Sequence, residues 1–150
     1  MGMMGNMRIS TSEGPVTANL SGKFLELQSN PDASGIVLPV IFEILAKWSF
    51  GVKDQMIILG LVEEQTLHSW REHPEKVEMT HDRIDRVSYI LGIFKSLETL
   101  LPDPQIADSW LSTPNDNSFF NGAPPKSRLL TCAIADLAAV RNFLSSQEDR

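Results

Sequence analysis

His68, His73 and His81 are the residues best suited by type to bind a metal ion. Two helical histidines can share one metal when they stand four residues apart, which is the spacing in the HExxH pattern. The spacings here are five and eight residues, and Pro74 interrupts the stretch. We therefore predict no metal site, and we interpret these histidines as surface or capping residues.

Cys132 is the single cysteine, and its neighbours in residues 129–134 (LLTCAI) are small or apolar. A nucleophilic cysteine needs a nearby base or cation that stabilises its thiolate, so we predict a buried core cysteine instead. Asp103 and Asp108 could pair as carboxylates, but such pairs occur in every acidic chain. The sequence has no glycine-rich phosphate loop or Ser/His/Asp order. We therefore predict no catalytic residues and no cofactor, and we do not expect an enzyme.

Residues 56–70 (MIILGLVEEQTLHSW) have the order of a short helix, a glycine turn and a second helix. Glycine permits a tight turn between crossed helices, and Leu67 with Trp70 would anchor one face of the second helix. In a helix-turn-helix protein the opposite face reads the major groove of DNA. The candidate DNA-binding residues on that face are Gln65, Thr66, His68, Ser69 and Arg71.

The charge of this region leaves two interpretations open. Residues 53–86 carry five basic and eight acidic side chains, whereas DNA phosphates are bound by clustered lysine and arginine. Glu63 and Glu64 would stand at the start of the second helix, where phosphates usually approach. The segment is either a structural helix pair or dimerisation element, or an operator-binding element assisted by dimerisation.

The remaining pattern predicts an all-α chain, because helical spacings are frequent and strand signals are scarce. Residues 1–38 are rich in Ser, Gly, Asn and Thr, and we expect a flexible N-terminal segment there. We predict that the first helix begins at Pro39. The longest helix should begin after Thr80, a suitable N-cap, and end before Pro102. Its apolar residues cover so much of its surface that it should pack on more than one side.

The last third of the chain is predicted to contain a short helix at residues 103–111, a loop at 112–125, and one or two helices to residue 144. Residues 145–150 read as a polar tail. Trp110, Phe119 and Phe120 lie close to the loop. These aromatics either close a small core or form an anchor-rich binding surface, since Trp contributes heavily at protein interfaces.

The bulk composition excludes several classes of protein. The 150 residues carry a formal net charge of −6, which suits a basic protein partner better than general binding to nucleic acid. No apolar run approaches the ~20 residues that span a bilayer, and one cysteine excludes a disulfide framework. We expect a soluble cytoplasmic protein that does not bind membranes.

Several segments in fixed order resemble the antitoxins of the Xre/MbcA/ParS family. They are residues 91–97 (LGIFKSL), 101–104 (LPDP) and 107–111 (ADSWL). The same order continues with Pro114, Asn115, Phe120, Gly122, Pro125, Leu129, Leu130, and then Leu137, Val140, Arg141 and Leu144. The resemblance covers about residues 40–145.

The resemblance implies an Xre-like helix-turn-helix or dimerisation region at residues 39–101, followed through a long linking helix by a toxin-binding domain at 102–150. It also implies a homodimeric type II antitoxin that occludes the active site of a RES-type, NAD-consuming toxin and represses its own operon. The alternative is a stand-alone helix-turn-helix transcriptional regulator. The predicted toxin-binding residues are Trp110, Leu111, Pro114, Asn115, Phe120, Gly122, Pro125, Glu148 and Asp149. The last two are included because an acidic tail could enter a basic cleft.

Overall fold

The computed structural model describes residues 33–149, and this part of the chain contains helices and turns but no strand. The predicted all-α fold is confirmed. The α-helices are α1 (Ser34–Lys47), α2 (Val52–Leu59), α3 (Glu64–Glu72), α4 (His81–Leu100), α5 (Pro104–Ser109), α6 (Lys126–Leu129) and α7 (Ile134–Glu148). Two 3₁₀ turns complete the fold, at Pro74–Lys76 and Trp110–Ser112.

Helix α1 begins at Ser34, so the predicted start at Pro39 is wrong. A proline inside a helix costs about 3 kcal/mol because it removes a hydrogen bond and crowds the preceding turn. Val37 and Leu38 are fully buried before it, and each such burial is worth roughly 1.5–3 kcal/mol. The Ser34 hydroxyl also donates to the Pro74 carbonyl at 2.8 Å. Tertiary packing therefore extends the helix upstream of the proline.

Helix α4 has the extent that its sequence predicts. The Thr80 hydroxyl caps its first turn by accepting from the Arg83 amide at 3.3 Å. The helix is 20 residues long. It packs against α1 and α2, which precede it in the chain, and against α5 and, most extensively, α7, which follow it. We call the helices before α4 and those after it the N-terminal and C-terminal halves of the core. The breadth of its apolar surface is explained by these two sets of neighbours, and α4 joins the two halves of the core.

One buried guanidinium adds a polar link between these halves. Arg86 in α4 is 8% exposed. It donates to the Asp82 carboxylate at 2.9 Å, to the Ile58 carbonyl at 3.2 Å and to the Cys132 carbonyl at 3.0 Å. A β-carbon on Gly60 would lie only 2.9 Å from the Arg86 Nε. Gly60 is thus needed both for its left-handed turn, at φ 74°, and for the space that Arg86 occupies.

Candidate functional site

A groove of mixed polarity lies between the end of α4, the Trp110 turn, the following loop and the end of α7. Its volume is about 340 Å³. The apolar lining consists of Leu97, Leu100, Leu101, Trp110, Phe143 and Leu144, and the polar lining of Asn115, Asn117 and Gln147. No charged side chain lines it. We call this feature the amide-rimmed groove.

An aromatic cluster supports one wall of the groove. The Trp110 ring meets Phe120 edge-on, with ring centroids 5.6 Å apart. Phe119 stacks on Phe143 at 5.0 Å, and the Arg128 guanidinium lies 4.4 Å from the Phe119 centroid. Each aromatic pair is worth roughly 0.5–1.5 kcal/mol beyond the area that it buries. The cluster therefore holds Trp110 and Phe143 in fixed positions beside the groove.

The loop that carries the rim is closed by its own backbone. The Asn115 amide donates to the Ala123 carbonyl at 3.2 Å, and the Gly122 amide donates to the Asn115 carbonyl at 2.9 Å. Between these partners the chain reverses through Asn121 and Gly122, both with positive φ. The Asn115 side-chain oxygen accepts from the Asn117 amide, and the Asn117 oxygen accepts from the Phe119 amide, each at 2.9 Å. Both side-chain oxygens are thereby fixed.

Helix α7 crosses α4 at a glycine. A β-carbon on Gly92 would collide with the Arg141 side chain in its present position. Arg141 donates to the Ser96 hydroxyl at 3.2 Å, and this hydroxyl donates to the Glu148 carboxylate. The predicted polar tail at residues 145–150 is wrong in this respect, because the helix continues to Glu148. The contact with α4 keeps its last turn in place.

The predicted toxin-binding residues fall into three groups. Trp110 and Asn115 line the groove. Leu111, Phe120 and Pro125 are buried and do not line the groove. Those exposed elsewhere are Pro114 and Gly122 in the loop, and Glu148 and Asp149 at the end of α7. Trp110 is half-buried, and it therefore belongs both to the small core and to the exposed wall.

Sequence reasoning missed most of the groove lining. It did not single out Asn117, Phe143 or Gln147 as site residues, and it used Leu97 and Leu101 for helix packing and for the family resemblance but not as site residues. The wide apolar surface predicted for α4 was a partial signal for the latter. Asn117 and Gln147 carried no signal, because they come together only where the loop meets the end of α7.

The candidate DNA-binding residues lie on α3. Gln65, His68 and Ser69 are exposed and Thr66 is half-buried. His68 lies 3.2 Å from the Glu64 carboxylate. Arg71 is exposed as a residue, yet its guanidinium donates to the buried Gln55 side chain and lies 4.8 Å from the Phe42 centroid. The face thus offers polar groups, but its one arginine is engaged within the fold.

The residues considered for metal or thiol chemistry lie apart. Within residues 33–149, no group of three or more His, Cys, Asp or Glu side chains is arranged to hold a metal ion.

The prediction that Cys132 is buried is wrong, because the residue is exposed. Its φ is 70° and its carbonyl accepts from Arg86. This hydrogen bond fixes a left-handed turn that sequence neighbours could not predict.

Asp108 in α5 is the titratable group whose environment most clearly changes its proton affinity. Burial raises the pKa of its carboxyl above the usual range, and the positive charge of Lys47 partly opposes that rise. Lys47 belongs to α1 and Asp108 to α5, so the interaction crosses the same boundary that Arg86 spans.

Residues 33–149 form a small all-α fold that carries the groove in its C-terminal part. Residues 96–150 match the family model of the antitoxin Xre/MbcA/ParS C-terminal toxin-binding domain. The chain belongs to this antitoxin family. The matched range contains every residue that lines the groove and the whole aromatic cluster.

Most of the chain is also similar to a protein of Sinorhizobium fredii. The chain is 32% identical over 110 residues to the uncharacterized protein y4oB of Sinorhizobium fredii, an overlap of 73% of this chain and 82% of the relative. No solved structure is significantly similar. Among residues 33–149, none of the helices has the length and apolar content to cross a membrane.

Proposed function

We propose that this protein is a type II antitoxin that neutralises a cognate toxin by binding it and covering its active site, without chemistry of its own. The observation that supports this most strongly is the coincidence of the family's toxin-binding domain with the amide-rimmed groove. A half-buried Trp110 on a rigid aromatic cluster has the properties of an interface anchor. The formal net charge of −6 favours approach to a basic partner.

The finer features of this proposal follow the family resemblance. The partner is a RES-type toxin that consumes NAD, and the antitoxin acts in the cytoplasm as a homodimer. Residues 39–101 form the dimerisation and helix-turn-helix region, and residues 102–150 form the toxin-binding domain. Loss of NAD in cells that express the toxin alone, with NAD restored by co-expression, would identify that toxin class.

Co-expression with the adjacent open reading frame tests the central claim. The neighbour alone should arrest growth, and growth should recover when this protein is produced with it. Arg71→Ala, which lies far along the chain from the groove, serves as a control that should still protect. A neighbour that is harmless alone, or equally toxic with this protein, would contradict the proposal.

Operator binding by α3 is the second part of the proposal, and it distinguishes an autorepressing antitoxin from a stand-alone transcriptional regulator. The exposed Gln65 and Ser69 after the Gly60 turn favour contact with base edges. A gel-shift assay at low salt, with DNA from this protein's own promoter, distinguishes the autorepressing antitoxin from the stand-alone regulator. Binding that needs the toxin supports autorepression by the complex, whereas strong binding by the isolated protein supports the regulator.

A further inference from the structure

The floor of the amide-rimmed groove is fitted to a large apolar group. Six of its nine lining residues are apolar, and Leu97 and Leu144 at its base are each 1% exposed. An apolar cavity of about 150 Å³ is enough to hold a benzene ring. A groove of about 340 Å³ therefore has room for an aromatic or large aliphatic side chain and the adjoining backbone.

The rim is fitted to peptide groups. The side-chain oxygens of Asn115 and Asn117 are fixed by loop amides, and this leaves their NH₂ groups without an acceptor among residues 33–149. The Gln147 side chain has no hydrogen-bond partner within that same range. Amide side chains offer N–H donors and C=O acceptors, which are the groups that match a peptide backbone.

We propose that the groove binds one large apolar side chain of the toxin, carried on an extended segment whose peptide groups are held by Asn115, Asn117 and Gln147. This inference rests on the proposed function, since it names the element of the toxin that the same site recognises. A charged anchor is disfavoured because no charged side chain lines the groove to pair with it. The acidic end of α7 lies outside the groove lining, and its Glu148 carboxylate accepts from the Ser96 hydroxyl.

A toxin-independent experiment tests the chemistry of the groove. The full-length protein, labelled with ¹⁵N, is titrated with N-acetyl-phenylalaninamide, an apolar side chain between two peptide groups. We expect binding with a dissociation constant on the order of millimolar for so small a ligand. The Trp110 indole and the Asn115, Asn117 and Gln147 side-chain signals should shift. The indole signals of Trp48 and Trp70, which are buried in the N-terminal half, should not.

N-acetyl-argininamide is the matched charged probe. It should shift the same signals at least tenfold less at equal concentration. Stronger binding of the arginine probe, or no shift with the phenylalanine probe, would overturn the proposal that the groove selects an apolar side chain.

A pair of substitutions tests the groove against the toxin. Gln147→Trp places a bulky side chain at the rim and should lower toxin affinity at least a hundredfold. Asn142→Trp makes the same change at an exposed position of α7 outside the groove, and should leave affinity within twofold. Circular dichroism on both variants controls for folding.

The outcomes separate the two proposals. Phenylalanine-probe binding without protection from any neighbouring toxin would retain the groove and reject the antitoxin function. Protection that survives Gln147→Trp, in a protein whose groove signals ignore the phenylalanine probe, would retain the antitoxin and reject the groove.

Discussion

The exposed face of α3 and the amide-rimmed groove differ in how their polar groups are used. On α3, His68 contacts Glu64 and Arg71 contacts Gln55 and Phe42, so the main cationic group is engaged within the fold. At the groove, amide donors surround an apolar floor and have no acceptor among the described residues. Side chains already engaged within the fold must give up those contacts to bind a partner, whereas water-exposed amides exchange water for the partner at a modest net gain. The comparison therefore predicts that the groove dominates toxin recognition and that α3 contributes less.

Trp110→Ala should produce the largest effect on binding. Removing an aromatic anchor at the centre of an interface commonly costs 2 kcal/mol or more, and we expect toxin affinity to fall about a thousandfold, or about 4 kcal/mol. Isothermal titration calorimetry below the melting temperature measures it. Arg71→Ala is the α3 counterpart and should change affinity less than threefold. Equal losses for both variants would remove the distinction between the two surfaces.

Arg86→Met should produce the largest effect on stability. The methionine retains the apolar stem but leaves the Ile58 and Cys132 carbonyls without their charged donor. We expect the free energy of unfolding to fall by about 2–3 kcal/mol. Urea denaturation followed by circular dichroism measures this loss.

The control for that prediction is Arg83→Met on the same helix. Arg83 lies 5.0 Å from the Trp70 centroid and donates to the Glu78 carbonyl, but it is more exposed. Its loss should cost about 0.5–1 kcal/mol. If Arg83→Met proved the more damaging change, Arg86 would not be the main polar link between the halves.

Gly92→Ala should have a smaller, conditional effect. Alanine gains about 1 kcal/mol of helix propensity over glycine, but its β-carbon would displace Arg141 and break the contact with Ser96. Crowding of this kind costs about 1–3 kcal/mol, so we expect a net loss of about 1 kcal/mol. In an Arg141→Ala background the same change should stabilise the protein. A double-mutant cycle by urea denaturation decides, and additive effects would show that the two side chains do not collide.

The sequence predicted those elements whose signals are local. Three such signals are the cap at Thr80, the left-handed Gly60 and the prolines after α4, and each acts within one or two turns. The helix ends that they mark were therefore predicted correctly. The start of α1 was missed because Val37 and Leu38 obtain their packing from distant segments. The last turn of α7 was missed for a similar reason, since Glu148 is held by Ser96, which lies 52 residues earlier.

The sequence indicated residues that support the groove, but it did not indicate the open groove itself. Trp110 and Asn115, which the family order singles out, both line the groove, and the nearby aromatic residues were expected to form either a small core or a binding surface. The groove forms only where α4, the loop and α7 come together, and no single segment of the sequence specifies that arrangement. The exposure of Cys132 was unpredictable for the same reason, because its turn is fixed by an arginine from α4.

The smallest predicted effect concerns Asp108, whose carboxylate interacts with the positive charge of Lys47 in α1. Burial raises the pKa of this carboxyl in the folded state, so the folded protein binds a proton more readily than the unfolded chain. Stability then falls as pH rises from the unfolded value, about 3.9, through the folded pKa. At neutral pH the buried charge remains a destabilising feature. Asp108→Asn should therefore raise the melting temperature at pH 7 by about a degree or two, and this advantage should shrink at acidic pH, as the wild-type carboxyl takes up a proton. Asp116→Asn, at an exposed loop position, controls for the change in net charge. Melting curves at pH 7 and at acidic pH measure the difference, and an Asp108→Asn protein that is less stable at pH 7 would mean that attraction to Lys47 outweighs burial.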